Sequence, residues 1–124
     1  MTMGSIDGLA GVLIWTAADR FPAMARFYRE TLGLTTRSAK DDFINFDWHD
    51  VRLSVGVHDR IGGTSRDPLR VMVNLTVTDI NAVHDRLVRA GVVFMRAPAR
   101  EEWGGWVATF ADPDGNVLQL MQLP

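Results

Sequence analysis

Apolar and polar residues alternate without a break along Val73-Asn74-Leu75-Thr76-Val77-Thr78. That period predicts a strand with one face packed and one face wetter. Asp79 follows as a helix N-cap, Ile80, Val83, Leu87 and Ala90 recur at helical spacing, and Gly91 ends the helix. The same order occurs earlier in the chain. Val12-Leu13-Ile14-Trp15 reads as a buried strand, and Asp19 precedes a helical stretch from Pro22 to Thr31. Proline in the first turn suits a helix start, Met24, Phe27, Tyr28 and Leu32 keep the spacing, and Gly33 stops it. Asp19 to Gly33 and Asp79 to Gly91 are corresponding helical units of nearly equal length.

Short strands are predicted after each helix. In the first half these are Phe43 to Phe46, a turn at His49-Asp50, and Val51 to Val57. In the second half they are Val92 to Met95, Trp106 to Phe110, and Val117 to Met121. Asp112-Pro113-Asp114-Gly115 between the last two fits a type I turn, with Asp accepting from the backbone, Pro pre-setting φ, and Gly closing it. The segment 59–68, holding Gly62-Gly63-Thr64-Ser65, is a linker by composition. The expected architecture is therefore α+β. Two βαβββ modules, about 9–58 and 69–122 of one domain spanning 1–124, form curled mixed sheets around a cleft with helices on the outer face. A cleft of that kind is where small molecules bind. Met1 to Gly8 is expected to be a loose tail.

Three segments, Arg26 to Leu34, Trp103-Gly104-Gly105-Trp106 and Phe110 to Leu120, carry a resemblance: together they are similar to the vicinal oxygen chelate superfamily, which includes glyoxalases, extradiol dioxygenases and bleomycin-resistance proteins. Arg26-Phe27-Tyr28-Arg29-Glu30-Thr31-Leu32-Gly33-Leu34 looks like its first helix, which commonly ends Phe-Tyr, three residues, Leu-Gly-Leu. Trp103-Gly104-Gly105-Trp106 is similar to the tryptophan-glycine segment of many bleomycin-resistance-like members. Phe110 to Leu120 resembles the end of each module. The likeness covers residues 9 to 122.

The resemblance also says where a metal would sit. Metalloenzymes of this superfamily hold a divalent ion with four His, Gln or Glu side chains, two from opening and two from closing strands. Counting back from Asp79 and Asp19 gives Met72 and Val12, or Leu13 if the first helix start carries an insertion. The closing positions fall on Ser54 and Gln119, where the family usually has glutamate. An aliphatic group, a hydroxyl, a thioether and a neutral amide suit Mg²⁺, Mn²⁺, Fe²⁺ or Zn²⁺ poorly. The resemblance is thus to the branch without metal ligands, and no cofactor is expected. Of the three histidines, His49 in a turn and His84 on a helix read as solvated. His58 follows Ser54 at even spacing and shares its face if the strand stays regular; otherwise it sees water at the strand exit.

Composition narrows the function classes. Hydrophobic residues make up 47% and charged residues 23% of the 124, with a net charge of −2 and pI ≈ 5.8. That balance, with no Lys/Arg block, gives no footprint for nucleic acid. The absence of cysteine removes disulfides, thiolate metal sites and thiol nucleophiles, and fits a cytoplasmic protein. The apolar run after the first residues is too short to span a bilayer, so no membrane partner is expected. There is no phosphate loop, nucleophile elbow or His-Glu-x-x-His helix. Candidate pocket residues are Asn74 and Thr76 beside Met72, with Gln119 and the tryptophans. Trp15 lies on the opening strand, where a one-residue difference in register puts it in the core or in the pocket. Trp103 and Trp106 flank two glycines that would let a loop fold tightly, and Glu102 beside them could favour a cation. The expected ligand-binding set is Trp15, Ser54, His58, Met72, Asn74, Glu102, Trp103, Trp106 and Gln119. The leading expectation is a metal-independent protein that sequesters a planar or cationic small molecule, a homodimer by family resemblance. The alternative is an enzyme, either a lyase or dioxygenase-like member with an altered metal set, or a metal-free isomerase using His58 or Glu102 as base.

Overall fold

The computed structural model describes residues 4–124, so Met1, Thr2 and Met3 of the expected tail lie outside the described residues. Two compact units divide at Gly62 and Gly63, inside the segment expected to be a linker. Each is a βαβββ module with a four-stranded mixed sheet.

In the first module β1 (Gly11–Thr16) leads into α1 (Phe21–Arg26), then β2 (Thr36–Lys40), β3 (Phe43–Trp48) and β4 (Val51–Val57). The sheet order is β1-β4-β3-β2, with β1 parallel to β4 and the other pairs antiparallel. The helix does not stop at Arg26. It continues as a π-helical turn, Phe27–Thr31, in which the Leu32 N–H reaches back to the Phe27 carbonyl at 2.8 Å. Gly33 then takes φ 72°, a conformation open to glycine at little cost, and ends the helical stretch. Met24 and Tyr28 are fully buried, and the Tyr28 ring lies 6.3 Å from that of Phe46. This contact fixes which face of the sheet carries the helix. Ile44, Phe46, Leu53 and Val55 pair across β3 and β4 on that side and are almost completely buried.

The second module repeats the order. It has β5 (Met72–Thr76), α2 (Ile80–Arg89), β6 (Phe94–Arg100), β7 (Trp106–Ala111) and β8 (Val117–Gln122), with sheet order β5-β8-β7-β6. Asp79 caps α2 as expected, accepting the Ala82 N–H at 3.1 Å. A second cap comes from β8, where Gln122 Oε1 accepts the Ile80 N–H at 2.8 Å. Phe94, Phe110 and Leu118 pair in one row on the helix side, with the His84 ring 4.5 Å from Phe94. The expected strand register is the one observed. Val73 and Leu75 are half-buried with this side, while Asn74 and Thr76 are exposed on the other.

Three features differ from expectation. Strand β2 is polar and mostly exposed, so hydrophobic alternation could not announce it. Strand β6 runs past Met95 to Arg100 and through Pro98, which an edge strand tolerates because its missing N–H would face outward. The sheets are open, each with two edge strands, and are not strongly curled.

The Asp112 to Gly115 turn forms as expected. The Gly115 N–H donates to the Asp112 carbonyl at 2.9 Å. The buried Asp112 carboxylate accepts from the backbone N–H groups of Asp114 and Asn116 and from Asn116 Nδ2, each at 2.9 Å. No helix among the described residues is long and apolar enough to cross a membrane.

Candidate functional site

The face of the first sheet away from its helix is arranged in three rows, because residues paired across strands point to the same side. The first row is Trp15, Gly56 and Phe43. A methyl group on Gly56 would lie 2.4 Å from Phe43 Cδ2 and 2.9 Å from Trp15 Cζ3, so the two rings close over bare backbone. Their centroids are 6.1 Å apart in an edge-on arrangement, and the His58 ring sits 5.2 Å from that of Trp15. Trp15 remains 39% exposed, which leaves ring surface available to a ligand.

The middle row is Leu13, Ser54, Asn45 and Ser38. Ser54 Oγ donates to Asn45 Oδ1 by a short bond, and Asn45 Nδ2 donates to Ser38 Oγ at 2.9 Å. The third row is Gly11, Arg52 and Asp47, with Arg37 joined to Asp47 at 2.9 Å. The middle and third rows, but not the aromatic row, border a depression of about 440 Å³ lying wholly within the first module and lined by Gly11, Leu13, Arg37, Asp47, Asp50, Arg52 and Ser54 among others.

His58 stands beyond the end of β4 but on the Trp15 side. Its backbone N–H donates to the Thr16 carbonyl at 3.0 Å, and its Nδ1 accepts the Arg60 N–H at 3.0 Å. In the neutral ring this leaves the proton on Nε2, which is then presented as a donor.

The second sheet has a corresponding row, Asn74, Gln119, Thr109 and Arg96, on its own face away from the helix. Gln119 Nε2 donates to Thr109 Oγ1 at 3.1 Å, and Arg96 pairs with Glu101. Met72 lies two residues before Asn74 on that face and is 41% exposed. The two tryptophans of this module do not join the row. Trp106 pairs with Gln122 and alternates with Ala108 and Phe110, which places it on the helix side of β7. Glu102 and Trp103 belong to the loop closed by the Glu101 N–H on the Gly105 carbonyl at 2.8 Å. The Trp103 ring folds back over Gly105, where a methyl group would lie 2.0 Å from Cζ3, and it is 51% exposed.

Three expected residues, Trp15, Ser54 and His58, therefore share one face of the first module, and Met72, Asn74 and Gln119 share one face of the second. Phe43, Asn45, Gly56, Arg37 and Arg52 were not anticipated. Two of them left a trace in the sequence: a polar Asn45 between Ile44 and Phe46, and a glycine inside an apolar strand, which marks close approach by a neighbour.

The donors at the metal positions of the fold do not suit an ion. Leu13 opposes Ser54, whereas Val12 alternates to the helix side, so the first opening strand offers an aliphatic side chain whichever is counted. Ser54 and Gln119 are each hydrogen-bonded within their own sheet, and Met72 adds only a thioether. No group of three or more His, Asp or Glu side chains that could hold an ion occurs among the described residues.

Comparison with known proteins decides the family. The profile described as the Glyoxalase/Bleomycin resistance protein/Dioxygenase superfamily matches residues 13–120. The chain belongs to that superfamily. No curated protein matches it. Among solved structures, the glyoxylase/bleomycin resistance protein/dioxygenase domain from Frankia sp. is similar with TM-score 0.75 and 21% identity, covering 97% of this chain and 100% of that one. A glyoxalase-related enzyme from Fulvimarina pelagi gives 0.74 and 19%, covering 96% and 90%. A glyoxalase/bleomycin resistance protein/dioxygenase family enzyme from Burkholderia phytofirmans gives 0.73 and 18%, covering 95% and 100%. At such identities the likeness establishes the glyoxalase-superfamily fold and leaves activity to the site itself.

Proposed function

We propose that this glyoxalase-superfamily chain is a metal-independent small-molecule binding protein that sequesters a planar ligand. The observation that carries the reading is the Trp15, Phe43 and His58 cluster, built over Gly56 beside a polar row and a depression. Exposed ring surface stacks on planar groups, and the side chains at the metal positions favour a role that needs no ion. Glu102, which pointed to a cationic ligand, lies on a loop of the second module and is not part of this cluster's rows, and its neighbour Glu101 is paired with Arg96. Homodimer formation and a cytoplasmic location are part of the same proposal, supported by family resemblance and by the lack of cysteine.

The enzymatic alternative has less to draw on. Catalysis by His58 as a base requires a free ring nitrogen lone pair, and the Nδ1 lone pair already accepts the Arg60 N–H. Fluorescence titration with planar aromatic compounds tests the binding reading. Trp15→Ala should weaken such binding by about 1–3 kcal/mol, as expected for a central aromatic anchor. Unchanged affinity in a folded Trp15→Ala protein would remove the support for this site.

A further inference from the structure

We infer that the ligand is an aromatic acid, with its ring against Trp15 and Phe43 and its anionic group at Arg52. The inference rests on the reading that this face of the first module is the ligand site, and adds the chemistry of the ligand's far end. Trp15 and Gly11 are both on the face away from the helix, as are Gly56 and Arg52, four residues apart on each strand. At about 3.3 Å per residue the aromatic and charged rows are about 13 Å apart. The middle row offers Leu13 as apolar floor, while its Ser54 hydroxyl proton and Asn45 amide are committed to each other and to Ser38. The stretch between ring and charge thus suits an extended hydrocarbon or aryl body.

The charged row selects the sign. Asp47 opposes Arg52 across the β3–β4 ladder but is bonded to Arg37 at 2.9 Å. Arg37 is thus taken up by Asp47, and Arg52 is the guanidinium of the row left over. The Arg52 side chain has no hydrogen-bond or ion-pair partner among the described residues. Asp50 also borders the depression, from the β3–β4 turn beyond the row, and makes the lining neutral overall, so the preference for an acid rests on Arg52 and its place in the row. A guanidinium with all its donors unused at the end of a face whose middle polar groups are already bonded to one another is suited to a carboxylate, which it can hold through two parallel bonds.

The test uses a biphenyl carboxylate and the matching biphenyl carboxamide, nearly identical in size and differing in charge. Binding is read by fluorescence or calorimetry on the full chain, with Arg52→Met as the variant. This substitution keeps an unbranched side chain on an exposed position, so folding is expected to survive, and a thermal melt checks it. Wild type should prefer the carboxylate roughly tenfold at low salt, with the preference shrinking as ionic strength rises. Arg52→Met should abolish the preference, costing the carboxylate roughly ten times more affinity than the carboxamide. Equal binding of the two compounds by wild type, or a preference that survives in Arg52→Met, overturns the assignment of an acid while leaving the aromatic site standing. Failure of both compounds to bind overturns the aromatic site and this inference together.

Discussion

Gly56→Ala is the sharpest probe of the aromatic row. The new methyl would lie 2.4 Å from Cδ2 and 2.7 Å from Cε2 of Phe43, and 2.9 Å from Cζ3 of Trp15. Ordinary carbon contacts begin near 3.5 Å, so the Phe43 ring must retreat by about 1 Å, and the Trp15 ring must give as well. Overpacking of this kind costs about 1–3 kcal/mol, while replacing glycine narrows the unfolded ensemble and returns roughly 0.4–1 kcal/mol. The expected net loss is about 1–2 kcal/mol, read from urea unfolding with an unchanged slope. Gly62→Ala is the control. Nothing lies within 4 Å of its added methyl, so its stability should stay within about 0.5 kcal/mol of wild type. Because the rings part in the Gly56 variant, its indole and phenyl resonances should move and planar ligands should bind more weakly. A Gly56→Ala protein as stable as wild type with unshifted Trp15 and Phe43 resonances would refute the packing argument.

The remaining predictions address the turn, the metal positions and the loop tryptophan. Asp112→Ala strands three donors on a buried turn and should cost about 2–4 kcal/mol, measurable by chemical denaturation; a loss below that of an ordinary surface change would contradict the bonding described. Adding Zn²⁺, Mn²⁺ or Fe²⁺ should leave the melting temperature unchanged, since an ion bound to the native state would raise it. About one ion per chain surviving dialysis, found by elemental analysis, would overturn that expectation. Trp103→Ala should cost less than about 1 kcal/mol, because the ring is half exposed and packs mainly on Gly105; a protein that fails to fold would show the loop to be structural.

Much of the fold was legible in the sequence because it is local. The alternation from Val73 to Thr78 set the strand register, Asp79 set a helix start, and Gly33 and Gly91 set two helix ends, all through neighbouring residues. The Asp112 to Gly115 turn is equally local, its carboxylate bonding groups no more than four residues away. The donors missing from the metal positions were likewise readable, since residue identity alone fixes that chemistry. Tertiary structure decided what depends on pairing across distance. A one-residue choice of register left Trp15 between core and pocket, and pairing with Gly56 on β4 resolved it onto the face away from the helix. Pairing with Gln122 sent Trp106 to the opposite side of its sheet, although the sequence sets it three residues from Trp103. Arg37, Asp47 and Arg52 are ordinary surface charges when read along the chain. They become a row only when β2, β3 and β4 lie side by side, because strand pairing brings together residues that sequence spacing keeps apart.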